Sequence, residues 1–328
     1  INAEYGEAVA QCLQTINASA KGVEAVVQLK NGNLIVATTD CQVIQYKYKN
    51  LDYDQVCRLQ ISKQPHTIGY DFKRETVYVG CARGVVEQIK VEPECLSLVK
   101  SHRWSKREVA HVTYRLDSDT IMCAGFAGSF VVYQPKTDQI LIDSQISDDP
   151  IRYICYDDVG GKLYLGTHGT GIPVLTILEP EKGDEPYLSY ILGQEEKLCH
   201  KDPVRCILLD PRTRYMFSCD HAGKILVWHA GEAAKEQQRP ALGELVGHKG
   251  QKIRSMCWFH DARALFSAGE DGKILVHNVG QQKTCGSWQA HQDELMGVDE
   301  IRLQQGTGVM SWAKDGRVCI WRIVFKNE

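Results

Sequence analysis

The 328-residue chain lacks a surplus of charge of either sign: 38 Lys and Arg stand against 41 Asp and Glu, a formal net charge of −3. Without a global basic excess no nucleic-acid partner is expected, and without an acidic block there is no solvating tail; electrostatic recognition has to be local. The apolar runs are too short to span a bilayer, and no basic stretch followed by an apolar core opens the chain, so no signal peptide is expected. Cys-x-x-Cys pairs are missing. The 13 cysteines are odd in number and follow no regular framework. Most, including Cys81, Cys123, Cys219 and Cys319, fall in predicted strands, where a thiol serves as a small apolar side chain. Free thiols in a reducing compartment, the cytosol, are the expectation. Helical periodicity is scarce; "GEAAKEQQ" (231–238) is the best short candidate.

What the chain has instead is repetition. "LFSAGEDGKILVH" (265–277) reads as a hairpin, two apolar runs around an Asp-Gly turn, and returns 44 residues later as "VMSWAKDGRVCIW". Seven copies of this phrase occur, the others containing "IVATTDCQVIQY", "YVGCARGVVEQI", "MCAGFAGSFVVY", "YLGTHGTGIPVL" and "FSCDHAGKILVW". Their second strands end at Tyr46, Ile89, Tyr133, Leu175, Trp228, His277 and Trp321, spaced by 43, 44, 42, 53, 49 and 44 residues. A period near 40–45 residues accommodates four short strands, one propeller blade. The expected fold is therefore all-β: a seven-bladed β-propeller of four-stranded antiparallel sheets forming a single domain over 1–328, its copies between about 22 and 325. The last copy lacks a fourth strand, and "EAVAQCLQT" (7–15) is available to supply it, hiding an open edge.

These repeats resemble the WD-repeat β-propeller family over nearly the whole chain. The resemblance implies a structural His-Ser-Asp-Trp hydrogen-bond set in each complete blade. His291, Ser311, Asp315 and Trp321 match in full; His248, Ser267 and Asp271 match with His277 in the Trp slot; His200, Ser218 and Trp228 match with Ala222 in the Asp slot. Earlier copies place Arg83, Ala127 and Gly169 there. A looser likeness, in "RETVYVGCARGVVEQ" and "VGHKGQKIRSMCWF", is to the propeller of WD-repeat adaptors carrying an inserted FYVE zinc domain, whose paired Cys-x-x-Cys motifs this chain lacks.

No catalytic residues are expected. The His-Ser-Asp sets recur at the blade period, which marks them as scaffold and not as hydrolase triads. Cys199, His200 and Cys206 fit no common metal-ligand spacing. "VGGKLYLGTHGTG" lacks the Lys-Ser/Thr of a phosphate loop. No cofactor, metal or small-molecule substrate is predicted. The expected function is that of a non-enzymatic scaffold or adaptor binding other proteins at its rims. The alternative, a phosphoinositide-reading propeller recruited to membranes, goes with a Phe-Arg-Arg-Gly signature that is not found.

For a partner site the candidate is the channel mouth. WD-repeat propellers often use the residue after the first apolar residue of each inner strand, here Glu24, His66, Ala110, Arg152, Arg205, Arg254 and Asp299. Three successive blades carry Arg in this slot, "PIRY", "PVRC" and "KIRS", with His168 and His221 beside two of them and Glu270 near enough to neutralise part of the arc. An arginine fork suits carboxylate or phosphate, so the arc is expected to hold an acidic or phosphorylated segment. The plainer alternative is that these arginines pair with local acids or are simply solvated. Two insertions, 178–202 and 229–243, are expected to project from the opposite face, and "KSHRWSKREVAH" (100–111) is the most basic stretch, either an RNA or lipid contact or a connecting loop with a packed Trp.

Overall fold

The structure, a computed structural model, describes residues 6–49, 52–177, 179–193, 198–230, 241–260, 262–304 and 306–326. The first strand, β1 (Glu7–Asn17), stands apart from its sequence neighbours. Blade 1 is β2 (Val23–Gln28), β3 (Leu34–Thr38), β4 (Gln42–Lys49) and β5 (Asp52–Gln60); blade 2 is β6 (Pro65–Asp71), β7 (Thr76–Cys81), β8 (Val85–Val91) and β9 (Leu96–Arg103). Blade 3 holds β10 (Val109–Arg115), β11 (Thr120–Gly125), β12 (Ser129–Gln134) and β13 (Gln139–Gln145), and blade 4 holds β14 (Ile151–Asp157), β15 (Lys162–Thr167), β16 (Ile172–Thr176) and β17 (Tyr187–Leu192). Blade 5 follows with β18 (Val204–Leu209), β19 (Tyr215–Asp220), β20 (Lys224–His229) and β21 (Gly243–Val246); blade 6 with β22 (Ile253–Phe259), β23 (Ala264–Gly269), β24 (Lys273–Asn278) and β25 (Lys283–Gln289). In blade 7, β26 (Leu295–Leu303), β27 (Gly306–Ala313) and β28 (Arg317–Lys326) are completed by β1. Every pairing is antiparallel, and the innermost strands touch in a closed cycle from β2 through β26 and back to β2.

The burial pattern explains why these segments are strands rather than alternating half-buried ones. Second strands such as "LIVAT", "TIMCAG" and "ALFSAG" are buried at every residue, because each blade is covered on both faces by its neighbours. Seven apolar clusters fill the seven gaps between adjacent blades; Phe130, Leu163 and Leu165 lie between blades 3 and 4, for example. The closing strand pairs with β28 from Glu7↔Lys326 to Asn17↔Arg317 around one bulge at Leu13. Gly316 fixes the turn beside it: its φ is +79°, its carbonyl accepts from the Ala18 and Ser19 amides (2.9 and 3.1 Å), and a Cβ there would stand 1.7 Å from the Ser19 carbonyl.

The two expected insertions resolve differently. Part of 178–202 is not an excursion: Tyr187–Leu192 is the fourth strand of blade 4, with Tyr190 packed into the gap toward blade 5 and Tyr187 exposed. Of 229–243, residues 231–240, and with them the helix candidate 231–238, lie outside the described residues, as do Asp261, Leu178 and 194–197.

Candidate functional site

Within each blade the second strand presents one side chain to a neighbour on the third strand and one on the loop leading into the blade. In blade 7 this builds a chain: His291 Nδ1 lies 3.0 Å from Asp315, its Nε2 2.9 Å from Ser311 Oγ, and Trp321 Nε1 donates to the same oxygen at 2.8 Å. In blade 6 His248 bridges Asp271 (3.0 Å) and Ser267 (3.1 Å), and His277 takes the Trp position, its Nε2 2.9 Å from Ser267 Oγ. Blade 5 corrects the sequence reading. Its carboxylate is not missing at Ala222; Asp220, two residues earlier, meets His200 Nδ1 at 2.8 Å while His200 Nε2 meets Ser218 Oγ at 2.7 Å and Trp228 donates to that Oγ at 2.8 Å. All three serines are fully buried, so these sets satisfy each other across strands inside the blades.

The four N-terminal blades fill the same register with apolar groups. Strand pairing aligns Val112↔Cys123 with Met256↔Ser267, which makes Cys123 the Ser position of blade 3. Trp104 then stands in the His position and Tyr133 in the Trp position, their rings 5.0 Å apart. The same alignment gives Ile61, Val79 and Ile89 in blade 2 and Leu165 and Leu175 in blade 4, each group inside one inter-blade core. Trp104 is buried and stacks on Tyr78, so the basic stretch at 100–111 has no exposed aromatic beside Lys106 and Arg107.

At the channel mouth one geometric device places the candidate residues. Every inner strand has a β-bulge one residue after its start, and the residue skipped by the ladder points toward the axis. The bulged residues are Glu24, His66, Ala110, Arg152, Arg205, Arg254 and Met296. The seventh position is thus Met296, not Asp299; the bulge falls between Leu295 and Gly297, and Asp299 lies three residues further along β26, down the channel. All of them line a cavity of about 310 Å³.

The three arginines do not share one fate. Arg254 is engaged by Glu270 (2.9 Å) and Glu294, which is the plainer alternative for that residue. Arg205 makes no ion pair among the described residues; burial, then Arg254 and Arg152, lower its pKa to about 10. Arg152 lies 5.0 Å from the Phe126 ring centroid and contacts His168, and its Nε is buried without a partner. His221 flanks the pair: burial and then the nearby Arg205 and Arg152 hold its pKa down at about 4, and its buried Nε2 has no partner. His168 is lowered as well, first by burial and then by Arg152. The mouth therefore concentrates cationic character and orphaned polar atoms on blades 4 and 5. Sequence reasoning found the arginines but missed Phe126, Met296 and Glu294; the pairing of Glu294 with Arg254 spans 40 residues and leaves no local pattern.

A closed seven-bladed ring with buried polar sets and a charged mouth defines a class, the β-propeller, and the comparisons agree. Residues 194–229 and 240–278 match the family model "WD domain, G-beta repeat". The WD40 β-propeller domain of Doa1 superposes with a TM-score of 0.77 at 13% identity, covering 95% of this chain and 97% of that one. WD repeat and FYVE domain-containing protein 2 of Caenorhabditis briggsae is 22% identical over 217 residues, 66% of this chain and 48% of that protein. Apoptotic protease-activating factor 1 of Mus musculus is 30% identical over 121 residues, 37% of this chain and 9% of that protein. The chain thus spans about half or less of the length of these relatives. The matched repeats, the WD-repeat relatives and the superposition together support a WD-repeat β-propeller.

Proposed function

We propose that the chain is a non-catalytic interaction scaffold whose channel mouth anchors an acidic or phosphorylated segment of a partner protein on Arg152 and Arg205. The observation that carries this reading is the pair of guanidinium groups at adjacent blades with no carboxylate partner among the described residues, beside the unpartnered Nε2 of His221. A planar cationic fork held by a rigid ring loses little freedom on meeting an anion, so its binding energy is retained. Kinship with WD-repeat proteins supports the scaffold role, and the odd set of 13 cysteines supports a reducing compartment such as the cytosol. The membrane-recruitment reading gains no support at 100–111, where Trp104 belongs to the core.

Capture of partners from the native source by the intact protein, compared with the Arg152→Glu/Arg205→Glu variant, tests it. The expected result is loss of specific partners at an unchanged melting temperature, since neither arginine anchors an acid. Arg254 stays untouched, because removing it would strand Glu270 and Glu294. Unchanged capture would reject the site.

A further inference from the structure

We infer that the mouth reads a dipolar segment: an acidic or phosphorylated residue on Arg152 and Arg205, and, a few residues away, a Lys or Arg whose side chain enters the channel toward Glu24 and Asp299. This rests on the proposed anchoring and adds the opposite wall to it. In a ring of seven, blade 1 faces blades 4 and 5, and blade 7 faces blades 3 and 4. Glu24 of blade 1 and Asp299 of blade 7 therefore look across the same cavity at the two arginines. Neither acid makes an ion pair among the described residues. Glu24 is held by Thr39 Oγ1 (3.0 Å) and Gln64 Nε2 (3.1 Å), both on the same carboxylate oxygen, which leaves the other available. Asp299 accepts from the Glu300 amide at 2.8 Å.

Depth makes the two halves different. Asp299 sits three residues below the bulge, roughly 10 Å down the strand at the usual rise per residue. It also lines the cavity of about 450 Å³ at the far end of the channel, beside Lys30 and Phe72. Only a long side chain hung from the rim reaches it, and Lys and Arg are the cationic side chains of that length. Its enclosure among protein atoms raises its pKa to about 6, and an arriving cation would restore the ionised form. An acid alone leaves the far wall uncompensated and is repelled by it; a base alone is repelled by the arginines. A segment carrying both groups satisfies both walls, and this difference is the source of selectivity.

The test is selection of a random seven-residue displayed peptide library, with and without enzymatic phosphorylation, on the immobilised protein. The recovered peptides should carry an acidic or phosphorylated residue with Lys or Arg within about three positions. The Glu24→Gln/Asp299→Asn variant keeps both side-chain acceptors and should lose the basic preference, with roughly tenfold weaker binding of the selected peptides, while still recovering acids. The Arg152→Glu/Arg205→Glu variant should lose the acidic preference. Recovery of acids alone by the wild-type protein overturns the dipolar inference and leaves the anchoring intact; no acidic enrichment at all overturns both.

Discussion

His277 does with an imidazole what Trp228 and Trp321 do with an indole. His248 Nδ1 faces the Asp271 carboxylate and so carries the proton, leaving its Nε2 to accept from Ser267; His277 must then donate its own Nε2–H to that serine. Thr284 lies 3.4 Å from the remaining Nδ1. Burial, followed by the neighbouring His248, pushes the pKa of His277 down to about 3. Unfolding returns it toward 6.5, so below that pH the unfolded chain takes up the proton first. The stabilisation is complete above about 6.5 and drains away as the pH falls toward 3, at about 1.4 kcal/mol per pH unit. His277→Trp supplies an N–H that does not titrate. Urea denaturation at pH 7.5 and 5.5 should show the wild-type losing about 1 kcal/mol more than the variant; equal losses would contradict this account. The sequence made the His-Ser-Asp spacing legible but not its tolerance. In blade 6 a Cβ on Gly269 would fall 2.6 Å from Asp271 Oδ1 and 2.3 Å from His248 Nδ1, the space that Asp220 occupies in blade 5, where Ala222 then carries no acid. Gly with Asp, or Asp with Ala, delivers the carboxylate to the same nitrogen, and counting positions alone cannot see that equivalence.

Between blades, the hairpins joining first and second strands carry ion pairs that no repeat pattern announced. Arg74 of blade 2 holds Asp71 (2.8 Å) and reaches Asp119 of blade 3 (2.6 Å); Arg115 of blade 3 meets Asp158 of blade 4 (2.5 Å). Arg214 of blade 5 takes Asp157 of blade 4 (2.6 Å), and His260 of blade 6 takes Asp210 of blade 5 (2.9 Å). Each inter-blade partner is more than 40 residues away in sequence, and acids and cations trade places from hairpin to hairpin, Asp119 and Arg214 each standing just before a second strand, which is why they were illegible. Asp71 is fully buried, and Asp119 is held well below the usual carboxylate range chiefly by its bond to Arg74. Arg74→Met should therefore cost about 2–3 kcal/mol, measured by chemical denaturation, because it strands a buried acid. Lys47→Met, which removes an exposed pair with Glu94, should change stability by less than about 0.5 kcal/mol. Equal effects would mean that burial of the acid does not set the strength of these inter-blade pairs.

At the scale of the ring, the blade count and the closing strand were legible because each follows from a period and a leftover edge. The charged mouth was half legible: the arginine slot recurs, but whether each arginine is already paired depends on residues from other blades. Closure is where the whole molecule is most exposed to change. Removing residues 1–17 uncovers β28, which pairs with β1 over nearly its whole length. The truncated protein should self-associate through that edge, seen as a shift in light-scattering mass, and melt earlier; a monomer of unchanged melting temperature would show the strand to be dispensable. The pairing of Glu7 with Lys326 also has a consequence for biosynthesis. Within the propeller the strand made first waits for the one made last, so six sheets can assemble while the seventh stays incomplete. During that interval the open ring shows bare backbone to its surroundings, and the hazard lasts until the final strand emerges to cover it.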